Sequence, residues 1–323
     1  MLDLESLTAA ARAFQESRAI LTGVELDLFT ALGEGKTARQ AAAQVGADPR
    51  ATEMLLNALV ACGLLTKSDG IFRNTPVAAQ HLGGTARVAW MHHVHLWDRW
   101  STLTDSVRKG TAAFDGRIET RSEDWTEAFI AAMHRNASER APQVIKAVGT
   151  QGVKRVLDVG GGSGAYSIAF AQTAPNLHAD VLDLEPVTRI AQPHIDEAGL
   201  ADRVQTRVGD LRHGSLGDHY DVVFVSAICH MLSERENQDL IERCRAACAP
   251  GGRVVIQDFI LSPDKTAPKF GALFALNMLV GTTSGSAYSA QEYEEWMRTA
   301  GLNDVRHVAM PGPAELMIGT ATA

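Results

Sequence analysis

The sequence has 323 residues, of which 46% are hydrophobic and 21% are charged, and its net charge is −8. This length predicts two domains, and the composition excludes a disordered, a collagen-like or a coiled-coil protein. The acidic balance argues against a nucleic acid or an anionic membrane as the main partner.

The first 85 residues contain short helical patterns that are broken by glycine. One helix is predicted over 37–46 and a second over 48–63, where Asp48 is the expected N-cap and Pro49 the first helical residue. Two short strands around a Ser-Asp-Gly turn are expected at 64–73. Helix, turn, helix and hairpin together describe a winged helix, which we expect to end near residue 85.

The second helix of this winged helix is poorly suited to DNA. Arg50 is its only basic residue, Glu53 opposes it, and most of the remaining positions are apolar. Phosphate contacts need several Lys or Arg side chains, and a largely apolar helix is typical of a buried interface. We therefore expect dimerisation, and a DNA-binding regulator remains a minor alternative.

Residues 86–150 are predicted to form a helical linker that lines a substrate pocket. His92, His93 and His95 look at first like metal ligands, but this spacing spreads the rings around a helix. No acidic or cysteine ligand is near them in the sequence, so we expect no metal site.

From residue 151 to 323 strands alternate with helices, which predicts a third part of the chain. The predicted strands are 155–159, 179–184, 204–208, 221–227, 253–259, 305–309 and 316–321, and the predicted helices are 165–174, 187–198, 234–248 and 290–300. This alternation is typical of a doubly wound parallel sheet. The last two strands have little helical pattern between them and predict an antiparallel edge.

Three features of the sequence indicate the cellular compartment of the protein. The longest apolar stretch, 270–281, is too short to span a membrane, and the acidic residues at positions 3 and 5 do not fit a signal peptide. The four cysteines (Cys62, Cys229, Cys244 and Cys248) match no zinc or disulfide spacing. We therefore expect free thiols and a cytoplasmic protein.

A glycine-rich loop follows the first strand of the predicted sheet, where residues 158–164 read Asp-Val-Gly-Gly-Gly-Ser-Gly. Glycines let the backbone adopt positive φ and let a cofactor approach the main chain. Gly160, Gly162 and Ala165 fit the dinucleotide pattern Gly-x-Gly-x-x-Ala. With Asp158 included, the loop also fits S-adenosylmethionine, and a tight turn without a ligand is the third interpretation.

Carboxylates at three successive strand ends help to distinguish between the two cofactors. Asp158 can accept a hydrogen bond from an ammonium group, whereas its charge would repel a pyrophosphate. Asp183 can bind two ribose hydroxyls, and Asp210 can reach an adenine amino group. Together they favour a cofactor that ends in a zwitterionic amino acid.

With these motifs the sequence resembles the class I S-adenosylmethionine-dependent methyltransferases, specifically the small-molecule O-methyltransferases of the plant caffeate type and their bacterial relatives. The motifs keep their order and spacing over nearly the whole chain, at 158–164, 183–184, 209–211, 228–230, 251–253, 258 and 289–293. The resemblance implies an α/β fold, with a doubly wound Rossmann-like sheet and an N-terminal all-helical winged-helix dimerisation domain. It also implies a homodimer in which each N-terminal domain helps to close the partner's pocket.

The resemblance assigns roles to individual residues. His230 corresponds to the general base that takes a proton from a phenol, and Asp258 to the carboxylate that orients it. The residues expected to hold S-adenosylmethionine are Asp158, Gly160, Gly162, Asp183, Asp210, Leu211 and Ser226. Those expected to line the acceptor pocket are Phe129, Met133, Asn277 and Met278.

Three departures from the family pattern surround the expected base. The usual Asp-Trp after the histidine is replaced by Met231 and Leu232, and one of two flanking carboxylates is replaced by Ala287. The adjacent Tyr288 is a candidate hydrogen-bond donor in its place. We expect methyl transfer to a hydroxyl of a small aromatic or polyketide-like metabolite. A carbon or nitrogen acceptor and a nicotinamide-dependent oxidoreductase remain as alternatives.

Overall fold

The computed structural model describes residues 3–113 and 123–322. Within these ranges the chain forms two compact units. The first unit takes the residues up to Asp98 together with Glu123–Ala132, and the second takes the rest. The three-part division at residues 85 and 150 stays a prediction.

The first unit is mostly helical and contains the expected winged helix. Its helices are α1 (Leu4–Arg12), α2 (Phe14–Glu25), α3 (Leu28–Leu32), α4 (Ala38–Val45), α5 (Pro49–Ala61), α6 (Pro76–His81) and most of α7 (Arg87–Trp100). Thr37 and Asp48 cap α4 and α5 through their side chains, and Pro49 occupies the first turn of α5. The turn signals in the sequence therefore placed these helices correctly.

A small antiparallel sheet forms the wing, so the prediction of an all-helical unit is too simple. Its strands are β1 (Lys36–Thr37), β2 (Leu65–Ser68) and β3 (Ile71–Asn74), in the order β1-β3-β2. The hairpin of β2 and β3 was predicted, but β1 was not. A strand of two residues is too short to show the alternation that identifies strands in a sequence.

The second unit carries the larger sheet and its covering helices. The strands are β4 (Arg155–Val159), β5 (His178–Asp183), β6 (Val204–Val208), β7 (Tyr220–Ser226), β8 (Cys248–Asp258), β9 (Leu302–Val308) and β10 (Glu315–Ala321). The helices are α8 (Leu103–Lys109), the later part of α9 (Glu123–Val148), α10 (Ala165–Thr173), α11 (Glu185–Glu197), α12 (Glu234–Ala247), α13 (Lys269–Gly281) and α14 (Ala290–Thr299).

The sheet order is β6-β5-β4-β7-β8-β10-β9, with β4 to β8 parallel and β10 antiparallel to both of its neighbours. This arrangement confirms the doubly wound sheet and its antiparallel edge. The strand order reverses between β4 and β7, and ligands of such sheets bind beyond the carboxyl ends of the strands at that point.

Apolar clusters on the two faces of this sheet explain why its strands have few polar residues. Leu157 and Val159 belong to the cluster that includes residues of α12 and α14, whereas Val156 belongs to the one that includes residues of α9, α10 and α11. Alternate residues of one strand thus serve opposite faces, and both faces are covered.

Among the described residues no helix is long and apolar enough to cross a membrane.

Helix α13 was not predicted, although its apolar sequence was noticed. Twelve of its thirteen residues lie within the run 270–281, which is apolar around the whole helix circumference apart from Asn277. A helix without a polar face shows no 3.6-residue period, so pattern analysis has little to detect.

Candidate active site

The glycine loop lies at the reversal point, between β4 and α10. Gly160, Gly162 and Gly164 have φ values of 69°, 58° and 76°, which glycine adopts without strain. A Cβ atom at Gly160 would collide with the side chain of Ile228, whereas one at Gly162 would meet nothing within 4 Å. The loop is therefore packed against the protein on one side and open to a ligand at Gly162.

Asp158 is buried beneath this loop and has an unsatisfied oxygen. Its Oδ2 accepts a hydrogen bond of 2.9 Å from the hydroxyl of Ser167. Its Oδ1 is buried and has no hydrogen-bond partner among the described residues. Burial raises the pKa of Asp158 to about 7, because the charged form is poorly solvated there. A cationic group beside Oδ1 would satisfy both the hydrogen bond and the charge.

Asp183 ends β5 and is tied to the glycine loop. Its Oδ2 accepts from the backbone N–H of Gly162 at 2.9 Å, and its Oδ1 accepts from that of Leu184 at 2.7 Å. Burial raises its pKa to about 6, although both hydrogen bonds act in the opposite direction. The carboxylate therefore orders the loop, and each oxygen keeps a second lone pair for a ligand.

The other residues expected at the cofactor lie near this loop or beside it. Asp210 accepts from the backbone of Arg212 in the turn after β6. Leu211 is partly buried, and its Cδ2 would lie 3.4 Å from a Cβ at Gly160. The hydroxyl of Ser226 donates to Oε1 of Gln257 on the neighbouring strand β8 at 3.0 Å, a contact that the sequence did not indicate.

His230 and Asp258 form a buried pair on the other side of the reversal point. His230 lies in a short 3₁₀ turn after β7, and Asp258 is the last residue of β8. Nδ1 of His230 is 2.7 Å from Oδ1 of Asp258, and the backbone N–H of His230 donates to Oδ2 at 3.0 Å. Because an ionised carboxylate only accepts hydrogen bonds, Nδ1 carries the proton and Nε2 is the basic nitrogen.

Two further donors complete the surroundings of the Asp258 carboxylate. The backbone N–H of Phe259 donates to Oδ1 at 2.8 Å, and the hydroxyl of Tyr293 donates to Oδ2 at 3.3 Å. Tyr288, the candidate donor in the sequence, instead donates to the carbonyl of Leu232. The prediction that Tyr288 acts as a donor in place of the missing carboxylate is therefore wrong. Ala287, which stands beside it, is buried.

Aromatic rings that the sequence analysis missed pack against the imidazole. The ring centroid of His230 is 5.7 Å from that of Phe259 and 4.8 Å from that of Phe274, which meets it edge-on. Phe270 extends this aromatic group at 5.1 Å from Phe259 and is 47% exposed. The four-residue spacing of Phe270 and Phe274 was the available signal, but it required α13 to be recognised first.

The residues expected to line the acceptor pocket are divided between the two units. Asn277 and the buried Met278 lie on α13, and Oδ1 of Asn277 already accepts from Nε1 of Trp100 at 2.9 Å. Met133 is half-buried on the part of α9 that belongs to the second unit. Phe129 belongs to the first unit, where its ring meets that of His92 edge-on at 5.3 Å.

Comparison with known proteins adds to this geometry. A family model described as an O-methyltransferase domain matches residues 100–303, and one described as an O-methyltransferase dimerisation domain matches residues 9–84. The chain is 33% identical to a 3-hydroxy-5-methyl-1-naphthoate 3-O-methyltransferase of Streptomyces sahachiroi, over 95% of this chain and 92% of that protein.

Two other relatives are similar over comparable lengths. The tetracenomycin polyketide synthesis 8-O-methyl transferase TcmO of Streptomyces glaucescens is 31% identical, over 95% of this chain and 94% of that protein. PigF, an S-adenosyl-L-methionine-dependent methyl transferase of a Serratia species, is 27% identical over 96% of this chain and 93% of that protein. The structure of PigF with SAH superposes with a TM-score of 0.91 at 25% identity, over 99% of this chain and 100% of that chain.

Proposed function

The chain belongs to the O-methyltransferase family, and we propose that it methylates a hydroxyl of a small aromatic or polyketide-like metabolite, with His230 as general base. It is an S-adenosylmethionine-dependent enzyme. The observation that carries the proposal is the 2.7 Å contact of His230 with Asp258 at the carboxyl ends of β7 and β8.

The residues of the glycine loop fit S-adenosylmethionine. Asp158 offers a buried oxygen without a partner, and Gly162 leaves open space at the loop. We assign Asp158, Gly160 and Gly162 to the amino-acid part of the cofactor, and Asp183 to its ribose. Asp210, Leu211 and Ser226 complete the proposed set. When bound, the cofactor supplies an electrophilic methyl group on a sulfonium.

His230 makes the acceptor oxygen nucleophilic in this proposal. Nδ1–H donates to Asp258, which holds the ring in one tautomer and leaves Nε2 as the base. Nε2 would take the proton of the acceptor hydroxyl, and the oxygen would displace the thioether sulfur of the cofactor from the methyl carbon.

The surroundings of His230 favour an aromatic acceptor. Phe259 and Phe274 contact the imidazole ring, and aromatic surfaces of this kind stack against a flat ligand. Leu232, at the position of the family's tryptophan, is buried in the apolar cluster. We assign Asn277, Met278 and Met133, which all belong to the second unit, to the acceptor pocket, with the amide nitrogen of Asn277 as a donor to a substrate oxygen. The assignment of Phe129, which belongs to the first unit, stays a prediction.

We also propose a homodimer formed through the N-terminal domain, in the cytoplasm. The match of residues 9–84 to a dimerisation domain supports dimerisation over DNA binding. Leu4, Leu7 and Phe14 in the N-terminal helices are 79%, 55% and 56% exposed, which is an apolar surface that a second copy can cover. The four free cysteines support a reducing compartment.

Thermal unfolding with added ligands tests the cofactor, and product analysis tests the acceptor atom. S-adenosylhomocysteine at about 100 times its dissociation constant should stabilise the protein by about 2.7 kcal/mol, which is a rise of several degrees. NAD and NADP should cause no rise. With labelled S-adenosylmethionine and a panel of hydroxylated naphthoates and polyketides, the label should appear as an O-methyl group. Label on carbon or nitrogen would contradict the proposed acceptor, and a rise with NAD alone would contradict the cofactor.

Replacing Gly285 by alanine should displace the proposed base. A Cβ at Gly285 would collide with the carbonyl oxygen of His230 and lie 2.6 Å from Oγ1 of Thr282. A displacement of about 1 Å can lower turnover by about 100-fold, and we expect a fall in kcat of that order. Affinity for S-adenosylhomocysteine, measured by calorimetry, should stay within about twofold, because the glycine loop is untouched.

A matched control for this variant is Gly281→Ala in the same segment. There a Cβ would lie 3.5 Å from the flexible end of the Arg99 side chain, which is ordinary contact. Normal turnover in Gly281→Ala and reduced turnover in Gly285→Ala is the expected result. Equal turnover in both variants would show that the position of His230 does not limit the reaction.

A further inference from the structure

We propose that Tyr293 is a positioning residue for the reaction, acting through Asp258 on His230 at a site where the family's second carboxylate is missing, at Ala287. This inference rests on the proposed role of His230 as general base. The supporting contact is the hydroxyl of Tyr293, which donates to Oδ2 of Asp258 at 3.3 Å.

The four hydrogen bonds to Asp258 divide between its two oxygens. Oδ1 accepts from Nδ1 of His230 and from the backbone of Phe259, and Oδ2 accepts from the backbone of His230 and from Tyr293. Tyr293 is the one side chain that donates to Oδ2 among the described residues. Its hydroxyl therefore sets how much negative charge the carboxylate offers to the imidazole.

The ring of Tyr293 is held in a single place. It lies on α14, whose start is fixed by a capping box between Ser289 and Glu292. The residue is 1% exposed, and its ring meets those of Tyr288 and Trp296 edge-on at 6.1 and 5.4 Å. Burial raises the pKa of its phenol, so the hydroxyl stays protonated and remains a donor throughout the working pH range.

The other titratable groups near the carboxylate do not compete with this donor. The thiol of Cys229 faces Asp258 and Tyr293, and burial raises its pKa well above the usual value. Burial also raises the pKa of Tyr288. Both groups are neutral below about pH 9. In profiles measured at saturating S-adenosylmethionine, where the titration of Asp158 and Asp183 no longer limits cofactor binding, a change in the acidic limb therefore reports the His230–Asp258 pair.

Tyr293→Phe removes the hydroxyl and keeps the ring. Asp258 then has one donor fewer and holds more negative charge, which favours the protonated form of His230. The acidic limb of the kcat/KM profile should move to higher pH by about half a unit, and kcat should fall by about tenfold. The affinity for S-adenosylhomocysteine should not change.

Tyr288→Phe is the matched control, since it also loses a buried hydroxyl that donates one hydrogen bond, but to the carbonyl of Leu232. Its acidic limb should stay at the wild-type pH. The second variant carries 3-fluorotyrosine at position 293 and keeps the hydroxyl. This hydroxyl is a stronger hydrogen-bond donor than that of tyrosine, so the acidic limb of the pH profile should move to lower pH.

Three outcomes separate this inference from the proposed function. Opposite shifts for phenylalanine and fluorotyrosine at 293, with none for Tyr288→Phe, would establish the role of Tyr293. No shift at 293, or the same shift in the Tyr288 control, would overturn that role and leave His230 as the base. A wild-type profile without an acidic limb would overturn the base itself, and the role of Tyr293 with it.

Discussion

His230→Ala is expected to lower kcat by about 10²- to 10⁴-fold while the dissociation constant of S-adenosylhomocysteine stays within about twofold. The loss arises because Nε2 is the proposed base, and Asp258 is buried behind the ring with both oxygens already accepting hydrogen bonds. The glycine loop, which we assign to the cofactor, does not depend on the imidazole. Single-turnover rates with a hydroxylated aromatic acceptor, together with calorimetric binding, measure the two quantities separately.

The control for this variant is His307→Ala on β9. His307 also contacts a carboxylate, with Nε2 at 2.6 Å from Glu315, but on the antiparallel edge strands and partly exposed. Its replacement should leave kcat within about twofold, as is usual for a surface substitution away from the site. If His230→Ala turned over as fast as the wild type, catalysis would rest on alignment of the reactants alone.

Asp158→Asn should have opposite effects on ligand binding and on stability. Without the carboxylate, the ammonium group of S-adenosylhomocysteine loses a buried partner, and affinity at pH 8 should fall by at least about 100-fold. In the absence of ligand the variant should unfold at a higher temperature than the wild type at pH 8, because a buried, unpaired charge has been removed. A variant with a folding defect would lose both ligand affinity and thermal stability. Weaker binding together with a higher unfolding temperature therefore identifies the loss of the buried charge.

The pH dependence of the wild type follows from the same carboxylate. Burial raises the pKa of Asp158 to about 7, whereas an unfolded chain has the ordinary value of about 3.9. The folded protein without ligand therefore holds the proton more tightly than the unfolded chain, and its stability should fall as the pH rises from about 4 to about 7. Asp183, whose pKa is about 6, adds to the fall in stability in the lower part of this pH range. Because Asp183 is unchanged in Asp158→Asn, that part of the fall should remain in the variant.

Ligand affinity should change with the opposite sign. An ammonium group prefers the ionised carboxylate, so wild-type affinity should rise with pH through about 7 and then level off. In Asp158→Asn this rise should be lost. Asp221→Asn is the control, because Asp221 accepts from the backbone of Lys154 and Arg155 at the opposite end of β4, away from the glycine loop. Wild-type affinity in Asp158→Asn at pH 8 would exclude Asp158 from the cofactor site.

Much of the fold follows from local patterns in the sequence. The glycines at 160, 162 and 164 mark a turn with positive φ, and the apolar run before them marks a buried strand. The alternation of strands and helices then predicts a parallel sheet whose carboxyl ends lie together. His230 and Asp258, which are 28 residues apart, lie at the ends of neighbouring strands of this sheet, and it is the resemblance to the methyltransferase family that predicts their pairing.

Contacts around this pair depended on packing that no local pattern records. The hydroxyl of Tyr293 reaches Asp258 across 35 residues, and Trp100 reaches Asn277 across 177. Tyr288 and Tyr293 are both buried tyrosines near the start of α14, and only their placement in three dimensions shows which of them reaches the carboxylate.

The sequence by itself therefore determined the class of fold and the position of the glycine loop, which depend on turns, strand periods and strand ends that neighbouring residues encode. The proposed base and its carboxylate came from the resemblance of the sequence to a known family. The tertiary structure alone decided the unsatisfied oxygen of Asp158, the aromatic rings on His230 and the choice of Tyr293. Each of these arises where side chains from distant elements meet, and their relative positions are set by how the whole core packs.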